Sequence, residues 1–186
     1  MRRSESRLIF FSCLFSFILC SCSTYNAYNE SEYASNEQPA FTADYSSRIP
    51  QHIATSEKTV VVDPKVHVWG AYDREGQLIK AGIASAGSSW CPDLNRPCHT
   101  STGSFRVFSL GDASCKSHIF PKPRGGAPMP YCMYFNHGQA LHGVSQNEVG
   151  EGNYSHGCVR MQVSDAEWLR YNFIDVGTKV VVRPYY

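Results

Sequence analysis

The chain has 186 residues, room for one ordinary domain and a tail, and a formal net charge of +1. Setting aside Arg2, Arg3, Arg7 and Glu5 reduces the 17 basic and 16 acidic residues to 14 and 15. A balance this close to neutral, with no basic patch, argues against a nucleic-acid-binding protein.

The N-terminus reads as a secretory signal. Arg2, Arg3 and Arg7 precede an apolar run over residues 8–19, shorter than the about 20 apolar residues of a permanent membrane helix. The run ends in Leu19-Cys20-Ser21-Cys22, which resembles a bacterial lipobox with Cys22 as the lipidated residue, although Cys20 is unusual at its position. The expectation is a signal segment over 1–22 and membrane attachment through a lipid on Cys22. Export also implies an oxidising compartment in which disulfides persist. Ser23, where Asp would retain a lipoprotein at the inner membrane, points to outer-membrane attachment facing the periplasm of a Gram-negative cell. The alternative is a plain signal peptide that leaves a soluble protein.

Residues 23–58 are rich in Ser, Asn, Tyr and Glu without an apolar period, the composition of a flexible tether. A domain over 59–186 then begins with a β-branched strand at 59–62. A second strand alternates over 66–72, and the turn Asp73-Arg74-Glu75-Gly76 leads into a third at 77–85, so a hairpin opens the domain. Residues 87–100 are irregular and carry Cys91 and Cys98. Thr100-Ser101-Thr102-Gly103-Ser104-Phe105 reads as a scaffold turn leading into a strand over 106–108. Residues 111–130 form a long Pro/Gly-rich loop with Cys115, of the kind that serves as a lid. Strands follow at 131–135 and 139–144, then a polar loop at 145–154. Ser164 and Glu167 make a capping box for a helix to about Phe173, with Ala166, Leu169 and Phe173 on one stripe. A last strand spans 178–183. Short strands, many turns and one helix give a mostly-β fold.

The chemistry concentrates in Ser155-His156-Gly157-Cys158-Val159-Arg160, read with His142. A cysteine attacks a carbonyl as thiolate, and a neighbouring imidazole supplies that state by taking the thiol proton. Gly157 permits a sharp turn whose N–H groups, with that of Cys158, can cradle an oxyanion. Arg160 offers a fixed cation suited to a carboxylate.

This segment resembles the signature of the L,D-transpeptidase catalytic domain (YkuD-like) family, in which a His-Gly pair, here His142-Gly143, precedes Ser/Thr-His/Arg-Gly-Cys, an apolar residue and Arg or Asn. The resemblance extends from about residue 59 to the C-terminus and implies a β-sandwich with one helix in its C-terminal half and a lid-like loop. It implies Cys158 as nucleophile and His142 as general base, oriented by the Gly143 carbonyl. Ser155, His156, Gly157 and Arg160 would form the oxyanion and substrate-binding loop, and Tyr134 and Phe135 a wall of the substrate groove. By sequence alone His156 rivals His142 as the base. The implied reaction is peptidoglycan cross-linking by acyl transfer from a stem tetrapeptide to a diamino-acid side-chain amine, with no cofactor. The alternatives are an L,D-carboxypeptidase, a hydrolase of the same fold that links or unlinks a lipoprotein, and a non-enzymatic envelope binding module.

Five cysteines follow the lipobox, an odd number in an exported chain. If Cys158 is the free one, Cys91, Cys98, Cys115 and Cys132 can pair in three ways, of which Cys91–Cys98 with Cys115–Cys132 closes the shortest loops. The competing use of such residues is a zinc site from His137, His142, His156 and Cys158. No C-x-x-C or H-E-x-x-H spacing accompanies it, and no metal is expected.

Overall fold

In a computed structural model of the protein, described for residues 44–186, nine short strands build two facing sheets. The first contains β1 (Thr59–Asp63), β2 (Val68–Tyr72), β3 (Leu78–Ile83), β4 (Gly103–Arg106) and β9 (Lys179–Val182), in the order β3-β2-β1-β9-β4. The second contains β5 (Ser109–Leu110), β6 (Met133–Asn136), β7 (Gln139–Val144) and β8 (Val159–Gln162), in the order β5-β6-β7-β8. Neighbours are antiparallel except β1–β9 and β7–β8. The signal segment, Cys22 and the tether as far as residue 43 lie outside the described residues.

The core lies between the sheets. Val60, Val62, Trp69, Ala71, Val180 and Val182 from the first meet Met133, Phe135, Leu141, Val159 and Met161 from the second. Each such large apolar side chain contributes about 1.5–3 kcal/mol by leaving water. The single α-helix of the described residues, α1 (Val163–Trp168), continues as a wider turn through Leu169–Phe173 and adds Ala166, Leu169 and Phe173 to the core. The expected capping box does not form. β8 runs directly into α1 with Gln162 at the N-cap position and no capping side chain. The Glu167 carboxylate instead accepts a hydrogen bond from Tyr131 Oη at 2.8 Å.

β1 is buried on both faces, which explains its unbroken valine run. On the face away from the main core, Val61, Val68 and Tyr72 pack against Ile49. Residues 44–58, assigned to the tether by composition, therefore belong to the fold. Asp44 caps a 3-10 turn at Tyr45–Arg48, Tyr72 Oη donates to the Pro50 carbonyl at 2.7 Å, and Leu78 N–H donates to Gln51 O at 2.9 Å. Composition missed this arm because one buried anchor, Ile49, and backbone pairing hold an otherwise polar stretch.

The strand expected over 106–108 divides between the sheets. Val107 N–H donates to Thr178 O and Phe108 N–H to Tyr134 O, each at 2.9 Å, so the chain changes sheet between these residues. The long loop that follows folds back on itself, with Ser117 N–H bonded to Ala127 O and Met129 N–H to Cys115 O, each at 2.8 Å. A Cys115–Cys132 disulfide closes its base across a separation of 17 residues, worth about 3 kcal/mol on chain-entropy grounds. A Cys91–Cys98 disulfide closes the earlier irregular segment.

Ile49 tests where the domain begins. Its side chain is 4% exposed, so Ile49→Ala is expected to lower the urea unfolding free energy by about 2–4 kcal/mol. A true tether residue would leave the unfolding midpoint unchanged.

Candidate active site

The β7–β8 ladder sets the site. His142 lies opposite Arg160, Leu141 opposite Val159 and Gly143 opposite Met161. Leu141, Val159 and Met161 enter the core, so alternation puts Ala140, His142, Cys158 and Arg160 on the opposite, outer face. Parallel neighbours need a crossover of a dozen or more residues. The segment between Val144 and Val159 supplies it and delivers Cys158 at the start of β8.

His142 is buried, and its Nδ1 lies 2.9 Å from the Gly143 carbonyl oxygen. A carbonyl can only accept, so Nδ1 carries the proton and Nε2 is the basic nitrogen. Burial pushes the imidazole pKa from 6.5 down to about 4. The Gly143 carbonyl opposes that shift, and the Arg160 cation adds to it. Cys158 is the free cysteine of the described residues and is half-buried. It packs with Ala140, Met129, Tyr134 and the Cys115–Cys132 disulfide. Burial raises the thiol pKa above its ordinary value, while the Ala140 N–H and Arg160 pull it down. Both groups are therefore neutral at rest, with Cys158 Sγ 3.7 Å from Gly138 O. No carboxylate comes within salt-bridge distance of Arg160 among the described residues.

The turn before Cys158 is held internally. Gly157 has φ +125°, a left-handed conformation that favours glycine. Its N–H donates to Ser155 Oγ at 3.0 Å, and that hydroxyl donates to the Cys158 carbonyl. The Gly157 N–H and the Ser155 hydroxyl, expected to face a bound oxyanion or substrate, are thus engaged within the turn. Thr100, read from sequence only as part of a scaffold turn, supports it from outside. The buried Thr100 hydroxyl donates to Gly157 O at 2.9 Å and accepts the Gly87 N–H at 3.0 Å. Gly157 lies 57 residues from Thr100, and no local pattern announces that contact.

His156 is occupied elsewhere. Its Nε2 lies 2.9 Å from Asp93, on the segment closed by Cys91–Cys98, and its ring is 4.5 Å from that of Phe120 in the long loop. These contacts hold its ring between Asp93 and the long loop. The four zinc candidates do not gather. Among the described residues, the grouping of potential ligand atoms is Cys91, Asp93 and His156, and the Cys91 sulfur is already bonded to Cys98. Tyr134 packs near Cys158, but Phe135 does not line the groove as expected. It alternates into the core against Phe105, ring centroids 5.5 Å apart.

By sequence the chain matches the L,D-transpeptidase catalytic domain family (YkuD) over residues 57–182. No curated protein matches it. Its fold is similar to that of an L,D-transpeptidase from Xylanimonas cellulosilytica DSM 15894, with a TM-score of 0.61 and 24% identity over 73% of this chain and 64% of that one. An L,D-transpeptidase from Mycobacterium smegmatis gives 0.56 and 22% over 69% and 59%. L,D-transpeptidase 3 from Mycobacterium tuberculosis, in complex with a faropenem-derived adduct, gives 0.54 and 22% over 69% and 61%. The chain spans less than two thirds of the length of each of these solved proteins.

The pKa of His142 has two measurable consequences. Its ring resonances are expected to titrate near pH 4, and a midpoint of 6 or above would contradict the buried neutral imidazole. Because the folded pKa lies below the unfolded one, the associated stability is complete above pH 6.5 and is lost as pH falls through 4. The loss is about 3 kcal/mol, and His142→Gln should remove it from urea unfolding curves taken across that window.

Proposed function

Because the chain belongs to the L,D-transpeptidase catalytic-domain family, we propose that it is a cysteine acyltransferase acting on peptidoglycan stem peptides outside the cytoplasm. One observation carries the reading: the thiol of Cys158 and the buried imidazole of His142 share one face of β7–β8 beside Arg160, and among the described residues the thiol is free and the guanidinium has no carboxylate partner. The acyl donor is a stem tetrapeptide whose third residue is a diamino acid followed by D-alanine.

In this reading Arg160 pairs with a carboxylate of the stem, which brings the scissile carbonyl to Cys158. The sulfur attacks the carbonyl carbon while its proton passes to His142 Nε2. With the Gly157 N–H engaged in the turn, the Cys158 N–H is the donor left for the oxyanion. Collapse breaks the C–N bond, and His142 returns the proton to the departing D-alanine amine. The thioester on Cys158 is then attacked by a side-chain amine, whose proton goes to His142 and on to the released thiol. Water in place of the amine gives a tripeptide instead of a cross-link. The low pKa of His142 favours proton transfer in step with C–S bond formation over a preformed ion pair.

The signal segment over 1–22 and a lipid on Cys22 belong to the same proposal and would hold the domain at the outer membrane, facing the periplasm. The two disulfides suit an oxidising compartment. Cys22→Ala is expected to move the full chain from the membrane fraction to the soluble fraction with loss of the lipid mass. Unchanged lipidation would overturn the anchor.

The catalytic assignment is tested with imipenem. Intact mass spectrometry of the oxidised protein should find one adduct per chain, on Cys158, and none on Cys158→Ala. His142→Ala should slow adduct formation by about 10²–10⁴-fold. No adduct on the wild-type protein would overturn the nucleophile. Incubation with defined muropeptides then separates transfer to an amine, which yields dimer, from hydrolysis, which yields tripeptide.

A further inference from the structure

A cleft of about 310 Å³ opens among Lys65, His67, His99, Asn153, Tyr185 and Tyr186, and neither Cys158 nor His142 lines it. Its wall is aromatic and layered. The His99 and Tyr185 rings stack with centroids 4.2 Å apart and planes 23° from parallel, and Tyr186 stands 6.4 Å from His99. Tyr186 is 90% exposed. Trp90 and Tyr154, next in sequence to the lining residues Ser89 and Asn153, are 49% and 60% exposed. Asn153 fixes the floor, because its amide donates to Pro64 O at 2.9 Å and accepts the Ala86 N–H at 3.0 Å.

The cleft is tied to the catalytic turn by hydrogen bonds. Thr100 N–H donates to Tyr185 Oη at 2.8 Å, and the Thr100 hydroxyl donates to the carbonyl of Gly157, the residue before Cys158. This short relay joins the Tyr185 ring, through the one residue Thr100, to the residue that precedes Cys158.

Aromatic faces rimmed by an ammonium, an imidazole and hydroxyl groups fit a ligand with an apolar C–H face and polar edges, which describes a pyranose ring. We infer that this cleft is a saccharide subsite holding an N-acetylated amino sugar of the peptidoglycan strand. The choice of glycan rests on the function proposed above. The subsite takes the sugar while the attached stem peptide runs to Cys158, so strand and scissile bond are positioned by one rigid unit.

The test uses the full chain. Cys158→Ala protein is titrated with peptide-free glycan chains and followed by NMR. Saturable binding is expected, and adding Tyr186→Ala should weaken it roughly tenfold without changing the thermal midpoint. His99→Ala serves as the second variant. With catalytically intact protein, kcat/KM should favour a disaccharide-linked tetrapeptide over the glycan-free tetrapeptide by roughly tenfold, and Tyr186→Ala should erase that preference. Absence of glycan binding, or a preference that survives Tyr186→Ala, overturns the subsite. Failure of the wild-type protein to react with imipenem and with either peptide overturns the proposed function instead, and the glycan titration still decides the subsite.

Discussion

The parallel register of β7 on β8 is the constraint on which the site depends. Leu141, Val159 and Met161 are fully buried on one side of the ladder, and each resists exposure by about 1.5–3 kcal/mol. A slip of one residue would exchange the two faces, sending those side chains to solvent and the thiol and imidazole into the core. Hydrophobic burial, with no chemistry of its own, thus keeps Cys158 and His142 on the same side. Ser155 and Thr100 then fix the turn by which the chain enters β8.

Arg160 connects the electrostatics. It makes the imidazole harder to protonate and the thiol easier to ionise, so its field opposes the charged form of His142 while favouring that of Cys158. Desolvation acts more strongly and keeps the thiol protonated as well. A separated ion pair in this half-buried place would require two ions to lose water together. An anion seated on Arg160 would cancel part of its field at His142 and strengthen the base at the moment a stem carboxylate is bound.

Much of the fold was legible because it depends on local periods. The valine run of β1, the alternation of β2 and the stripe Ala166, Leu169, Phe173 all report their surroundings directly. Errors arose where a local pattern met a tertiary requirement. Ser164 and Glu167 have the composition of a cap, but β8 feeds the helix without a break. The resemblance puts Tyr134 and Phe135 together in a groove wall, whereas strand alternation sends them to opposite faces. In the candidate site, Cys158, His142 and Gly143 are close in sequence to their structural partners along two short strands. Thr100 and Asp93 are not, because they act through contacts spanning 57 and 63 residues that no spacing rule encodes.

The depressed acidity of the Cys158 thiol also bears on how the chain acquires its two disulfides. Five cysteines lie among the described residues, and four of them form the two disulfides. Exchange proceeds through the thiolate, and a thiol that burial keeps protonated is a poor entrant. Once β7 and β8 have paired, Cys158 is withdrawn from the competition, while Cys91 meets Cys98 and Cys115 meets Cys132 across short stretches of chain. The packing that keeps the Cys158 thiol protonated therefore also guards it against capture during oxidative maturation.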